Sequence, residues 1–224
     1  MTSSGTTAFN PSIGQLALSA YSRIGIRRTS LLAEHMADAY METNLMLSAW
    51  SNFQPNLWKV DLVSQTLTQG TATYAVDAKT IMILDANITV SNQDRLIFPI
   101  SRTEYASYPN KTEQGVSSVF WFDRLISPTI TLWLVPDGSF GPLNYYRFTQ
   151  VQDANLQSGE TMDLPYRFLD AMVAGLSHRL ARIWKPELEQ LRKMDADQAL
   201  AIAQTQDVEN VGLVIMPGTE GYWS

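Results

Sequence analysis

Met162–Trp184 reads MDLPYRFLDAMVAGLSHRLARIW, and the fold turns on it. A long region of alternating apolar and polar residues precedes it, and here the apolar period changes from two to that of a helix. Pro165 occupies a first-turn position, where its missing N–H costs nothing. Phe168, Leu169, Met172, Val173, Leu176, Leu180 and Ile183 then share one face. Pro186 must break or kink this helix, and a second, more weakly amphipathic helix runs on to about Gln206. Two such helices cannot bury their apolar stripe alone, so the partner surface has to come from elsewhere in the chain.

The other end of the chain supplies it. Asn10 reads as an N-cap with Pro11 at the first helical position, followed at helical spacing by Ile13, Leu16, Ala17, Ala20, Tyr21 and Ile24, with Gly25 as the stop. Thr29 or Ser30 caps a second helix that continues to about Trp50, with Ala33, Met36, Ala37, Tyr40, Leu47 and Trp50 on one side. The short connection implies an antiparallel pair.

Between these hairpins the period is two. The segments LWKVDLVSQTL, ATYAV, TIMILDANITV, RLIFPI, SSVFWF, TITLWLV and NYYRFTQV read as short strands, separated by turn signals at Gln69-Gly70, Asn92, Gly115, Ser127-Pro128 and Pro136-Asp137-Gly138. The expected class is therefore α+β. A helical bundle is built from residues 10–54 and 163–206, an antiparallel, sandwich- or barrel-like β region of residues 55–162 is inserted in it, residues 1–9 form a flexible start, and residues 207–224 an extended tail.

Composition narrows the function. The chain has 224 residues, enough for a large core. It has no cysteine, which removes disulfides, thiolate metal sites and cysteine nucleophiles. Neither a secretory leader nor a run of about eighteen apolar residues is visible, so the expectation is a soluble, unsecreted protein without a membrane partner. Net charge is −6, and it is concentrated in the middle: residues 61–165 carry −5, against +1 for residues 1–60 and −2 for residues 166–224. A protein that grips nucleic acid through its phosphates needs the opposite sign.

Signatures of catalysis fall short. His35 and His178 each lie inside a predicted helix and neither belongs to an HExxH pair; they read as helix histidines with satisfied polar tips. No nucleophile elbow or phosphate-binding glycine loop is present, and no cofactor is expected. Glu104, Asp123, Glu160 and Asp163 could supply a carboxylate pair for glycan hydrolysis, but in a chain with 22 acids some pair always looks eligible. Asn87-Ile88-Thr89 and Asn110-Lys111-Thr112 match the glycosylation pattern and read as turns. Of the six tryptophans, the β core should absorb several, while Trp58 and Trp223, with Tyr222, lie near element ends, where interface anchoring and core packing are both open.

Two segments fit neither period. Ser101–Thr112, SRTEYASYPNKT, is a polar helical turn in the middle of the β region, with Ser101 as cap and Glu104 at the third position, as in a capping box. It either fixes the geometry of its own loop or holds Tyr105, Tyr108, Pro109, Asn110 and Lys111 as an inter-subunit contact. The end of the chain, from Asn210, contains Val211, Leu213, Val214, Ile215 and Met216, then Pro217-Gly218, then Tyr222 and Trp223. It either closes the chain's own sheet or docks on another subunit by strand addition or in a groove.

The ordered set of motifs resembles the head-to-tail adaptors of short-tailed phages, also called tail accessory factors or packaged-DNA stabilisation proteins. The matching pieces are ALSAYSRIGI, TNLMLSAW, QGTATYAVDAKTIMILDANI, PISRTEYASYPNKT, FWFDRLISPTITLWLVPD and MDLPYRFLDAMVAGLSHRLARIW, which together span most of residues 10–190. The resemblance implies a virion protein of the phage neck, assembled in the host cytoplasm. It implies a structural connector without enzymatic activity, forming a dodecameric ring with copies of itself below the portal protein ring. It would join the portal to the tail tube or nozzle, retain packaged DNA, and let double-stranded DNA pass without sequence-specific binding. It also implies that Val211, Leu213, Val214, Ile215, Met216, Tyr222 and Trp223 reach toward the portal. Two other readings compete: a virion-associated cell-wall glycan hydrolase, and a cellular β-sandwich binding module.

Overall fold

The computed structural model describes residues 3–52, 57–155 and 159–208. The protein is α+β. Helices α1 (Ile13–Arg23) and α2 (Ala33–Trp50) come first, then strands β1 (Val60–Gln65), β2 (Thr73–Ala75), β3 (Thr80–Val90) and β4 (Gln93–Pro99). A short helix α3 (Arg102–Ser107) precedes β5 (Val119–Asp123), β6 (Thr129–Trp133) and β7 (Leu143–Thr149), and α4 (Leu169–Trp184) and α5 (Glu189–Gln204) end the described chain.

The caps explain the limits of the helices, and one of them differs from expectation. Ser12, not Asn10, caps α1: its hydroxyl accepts from the Gln15 amide while the Gln15 side chain accepts from the Ser12 amide, satisfying two orphan donors reciprocally. Gly25 ends the helix as expected. At φ +80 its amide donates to Ser22 and the next amide, of Ile26, reaches back to Tyr21, the paired bonds that close a helix at a left-handed residue. The start of α2 also differs, because Arg28–Ser30 forms a 3-10 turn and the helix begins at Ala33. Pro186 separates α4 from α5 and opens a 3-10 turn of its own.

Helices α1, α2 and α5 all lean on α4. One apolar cluster joins Leu16 and Tyr21 of α1, Met46 and Leu47 of α2, and Met172, Leu176 and Leu180 of α4. The sequence stripe on Met162–Trp184 is thus the centre of the helical core. Gly175 lies where α4 meets α2, and a Cβ there would come 2.5 Å from Met46 Sδ.

The strands form one seven-stranded sheet in the order β1-β7-β3-β4-β5-β6-β2. Its inner side is a second cluster, in which Ile88, Ile97, Phe120, Ile130, Leu132 and Leu143 are almost fully enclosed. The expected all-antiparallel arrangement needs correction: β4 and β5 run parallel, Phe98 beside Val119 and Pro99 beside Phe120. A tight hairpin cannot join parallel neighbours, which need a crossover of a dozen or more residues. The Ser101–Thr112 turn is part of that crossover, and this is why the β pattern stops there. By contrast, β3 and β4 are joined through Ser91 and Asn92, both at positive φ, the backbone demanded by a two-residue hairpin. Asn87 is a correction too: it lies within β3, opposite Leu96 and Asn144, not in a turn.

Candidate assembly surface

The outer side of the β5–β6 hairpin carries the aromatic residues that organise the crossover. Alternation along β5 sends Phe120 into the core, where it is 1% exposed, and leaves Trp121 half-buried on the other side. Leu132 is likewise internal and Trp133 external. In register, Trp121 faces Thr131 and Val119 faces Trp133, so the two indoles sit diagonally on one surface. Neither belongs to the core cluster of the sheet, which was expected to absorb several of the tryptophans.

Helix α3 and the loop after it are laid over these rings. Ser101 Oγ accepts from the Glu104 amide at 3.1 Å, the forward bond of the expected box. Tyr105 stacks on Trp121 with centroids 5.5 Å apart, and Tyr108 stacks on Trp133 at 4.3 Å and 22°. Trp133 Nε1 donates to the Asn110 carbonyl at 2.9 Å. Lys111 Nζ donates to the carbonyls of Ala106 and Tyr108 at 3.1 and 2.9 Å, placing a cation at the C-terminal end of α3 and 5.8 Å from the Tyr105 ring. Asn110 Oδ1 accepts from both the amide and the hydroxyl of Thr112, so this asparagine does stand in a turn.

The five loop residues are therefore brought together, but with unequal exposure. Tyr105 and Tyr108 are half-buried in their stacks, while Pro109, Asn110 and Lys111 are exposed. The sequence reading missed Trp121 and Trp133 as the platform. The available signal was their position opposite to Phe120 and Leu132 in the alternation.

The remaining candidates are dispersed. Glu104 is exposed in the first turn of α3 and Asp123 ends β5. Asp163 Oδ2 pairs with Lys59 Nζ at 2.6 Å and accepts from the Gln152 amide, and the Glu160 backbone carbonyl accepts from Ile13. His35 has a structural setting: its Nδ1 accepts from the Leu32 amide at 3.1 Å, its ring stacks on Trp184 at 4.0 Å, and the Tyr21 hydroxyl donates to its carbonyl. Burial and the nearby Arg182 hold the His178 pKa below its ordinary value, favouring the neutral ring, although its Nε2 has no partner among the described residues. Trp58 is packed 4.5 Å from Phe168, with the Arg167 guanidinium 5.6 Å from its ring, so this tryptophan serves the interior. Val211, Leu213, Val214, Ile215, Met216, Tyr222 and Trp223 lie outside the described residues.

Among the described residues, no helix is long and apolar enough to cross a membrane, and no group of three or more His, Asp or Glu side chains is arranged to hold a metal ion. The best-organised surface feature is a rigid, aromatic-backed loop, of the sort used in contacts between proteins. Compared with known families, residues 15–215 match the SU10 adaptor protein family, and the chain belongs to it. Membership gives the protein a structural, adaptor role in a phage, at the virion neck, where portal and tail components are its partners. No curated protein matches the chain.

Proposed function

We propose that this protein is the subunit of a ring, with twelve copies as the expected number, that sits below the portal and joins it to the tail tube or nozzle. The ring retains packaged DNA mechanically and lets it pass on ejection. Assembly takes place in the host cytoplasm. The observation that carries this reading is the family match across residues 15–215, nearly the whole described chain. The charge balance supports it. A wall that bound phosphate would hold the moving duplex back, whereas a chain of net charge −6 does not.

Within this reading the chain divides into a discontinuous helical domain of residues 10–54 and 163–206 and an inserted β domain of residues 55–162. The separation of the sheet's apolar cluster from that of the helices supports the division, with Val151, Ala154 and Met162 at the end of the inserted segment packing into the helical cluster. The Pro109–Lys111 loop is an inter-subunit contact, held in shape by its two ring stacks. Residues 207–224 dock on the portal through Val211, Leu213, Val214, Ile215, Met216, Tyr222 and Trp223.

Electron microscopy of the protein mixed with portal rings from the same phage tests the proposal, with the protein alone as control. A second ring stacked coaxially on the portal is the expected result. Folded protein and folded portal that do not associate would overturn it.

A further inference from the structure

Residues 123–128, DRLISP, form the tip of the β5–β6 hairpin. Leu125 and Ile126 there are 61% and 97% exposed, and Ile126 is the most exposed large apolar side chain among the described residues. Turns are usually built of Gly, Asn, Asp, Ser or Pro, each for a backbone reason. Leucine and isoleucine serve no such reason, and no residue of this tip stands at positive φ. The tip is fastened at its base: Asp123 pairs in register with Thr129, and the Pro128 carbonyl accepts from the Val76 amide at 2.9 Å. Single exposed apolar residues are ordinary, but two adjoining ones on a fastened tip make a preorganised knob, which loses little freedom on burial.

The helices carry a hole of matching size. Between α1 and the start of α4 lies an open groove of about 430 Å³. Its floor is Leu16, Leu169 and Val173, all buried, and Phe9 and Pro11 wall it where the chain enters α1. An apolar cavity of about 150 Å³ accepts a benzene ring, so this one has room for two four-carbon side chains. The charges at the two places also match in pairs. Arg28 and Asp170 line the groove. Arg28 is exposed, and Asp170 is held by Arg23 through Oδ1 at 2.6 Å with its side chain still 73% exposed. Beside the knob stand one acid and one base, Asp123 and Arg124. Neither of these, nor Arg28, forms a salt bridge among the described residues.

We propose that Leu125 and Ile126 of one copy insert into the α1–α4 groove of a second copy of this chain, with Asp123 reaching Arg28 and Arg124 sharing Asp170 with Arg23. The two charge pairs fix the orientation, because the reversed insertion sets Arg124 against Arg28 and Asp123 against Asp170. Knob and groove are different surfaces, so the contact is head-to-tail and repeats from copy to copy, as a ring requires. It rests on the ring reading for its closure alone. It shares no residue with the Pro109–Lys111 loop, so it is a separate contact.

The absence of cysteine makes a direct test clean. Ser19 lines the groove and Ser127 follows the knob, so a variant with Ser19→Cys and Ser127→Cys keeps Leu125 and Ile126 in place. It is assembled with portal rings, treated with a short bis-maleimide and run on a denaturing gel, while the same sample is imaged. A ladder of covalent multimers, with each single variant remaining monomeric, is expected. Linked dimers from a single variant would show a symmetric contact and overturn the head-to-tail pairing. A link between positions 19 and 127 confined to monomers would show the groove taking its own chain's tip and overturn the second copy as occupant. Rings in the micrographs without a ladder would overturn the insertion and leave the ring reading intact. Neither rings nor ladder would overturn both. As a second measurement, Arg28→Glu and Asp123→Arg should each weaken ring assembly by at least about tenfold, and the two together should restore it, with the melting midpoint unchanged throughout. Losses that add without rescue would overturn the Arg28–Asp123 pairing. If Ile126→Asp weakens portal binding and the double-thiol variant gives no ladder, the knob belongs to the portal and the proposal is wrong.

Discussion

Asp61 and Arg147 face each other across β1 and β7 as register partners and are joined by two parallel bonds, Nε to Oδ1 at 2.7 Å and Nη2 to Oδ2 at 3.1 Å. The guanidinium is nearly enclosed and also donates to Thr80 Oγ1, with Asp77 at 3.5 Å, so it ties β1, β7 and the start of β3 together. Arginine suits this position because its planar fork matches a carboxylate bidentately. The Arg147 hydrogen bond holds the Asp61 pKa below the ordinary carboxylate value.

From this follows a pH dependence. Asp61 titrates lower in the folded protein than in the unfolded one, so its contribution is complete above the ordinary carboxylate range and is lost as pH falls through the depressed folded value. The Asp61 side chain is half exposed and screened by water, so Asp61→Asn should cost about 1 kcal/mol at neutral pH. Urea denaturation of both proteins at pH 7 and near pH 2.5 checks this: the difference should shrink in acid. An equal difference at both values would show that the loss is not one of charge.

A second prediction concerns how the strand-to-helix passage is fastened to α2. The Asn44 side-chain amide accepts from the Ala154 amide at 2.8 Å and donates to the Ala154 carbonyl at 3.2 Å, pairing with a backbone as a strand would. Asn44→Leu removes both bonds and leaves two partly buried backbone groups unpaired, at a cost of about 2 kcal/mol. Hydrogen exchange at Ala154 should accelerate in step with the loss of stability.

Gly175 allows a prediction in which two effects of opposite sign compete. Alanine in mid-helix gains about 1 kcal/mol over glycine, but here its Cβ would meet Met46 Sδ at 2.5 Å, inside a sulfur side chain that is 2% exposed. Overpacking costs about 1–3 kcal/mol, so Gly175→Ala should be destabilising. In a Met46→Ala background the obstruction is gone, and the same substitution should become stabilising. A thermodynamic cycle over the four proteins separates the terms.

The ring platform gives a test that separates folding from assembly. Trp133→Phe keeps an aromatic surface for Tyr108 but loses the bond from Nε1 to the Asn110 carbonyl. The loop is exposed, so the melting midpoint should move by less than about 1 kcal/mol equivalent, while ring formation on portals weakens. Unchanged assembly would leave the loop a purely local structure.

These particulars show what the residue order encodes. The period-two segments and the break at Pro186 are legible because they depend on neighbours in the chain: β1, β2, β3 and β6 lie wholly inside the segments read as strands, β4, β5 and β7 overrun theirs by one or two residues, and Thr80–Val90 matches residue for residue. Partner choice depends on distant residues and is not legible in the same way. Alternation in Val119–Asp123 requires one buried side but does not say that β4 lies alongside in parallel. Asn10 and Ser12 are both competent caps, and the Gln15 side chain selects Ser12 by closing the reciprocal bond. The loop residues were found because they broke the pattern, and the tryptophans beneath them were missed because they obeyed it.

The last prediction concerns where the tail can be cut. Asp207 is buried and its Oδ1 meets Arg167 Nη2 at 2.5 Å, whereas Val208 beyond it is exposed. Removing residues 209–224 keeps this pair, so the melting midpoint should hold while portal binding falls. Removing residues 207–224 leaves Arg167 without its carboxylate beside Trp58 and Phe168, which should cost a further 2 kcal/mol or about that. If the shorter deletion already unfolds the protein, the final residues belong to the fold and do not serve as a portal-docking segment.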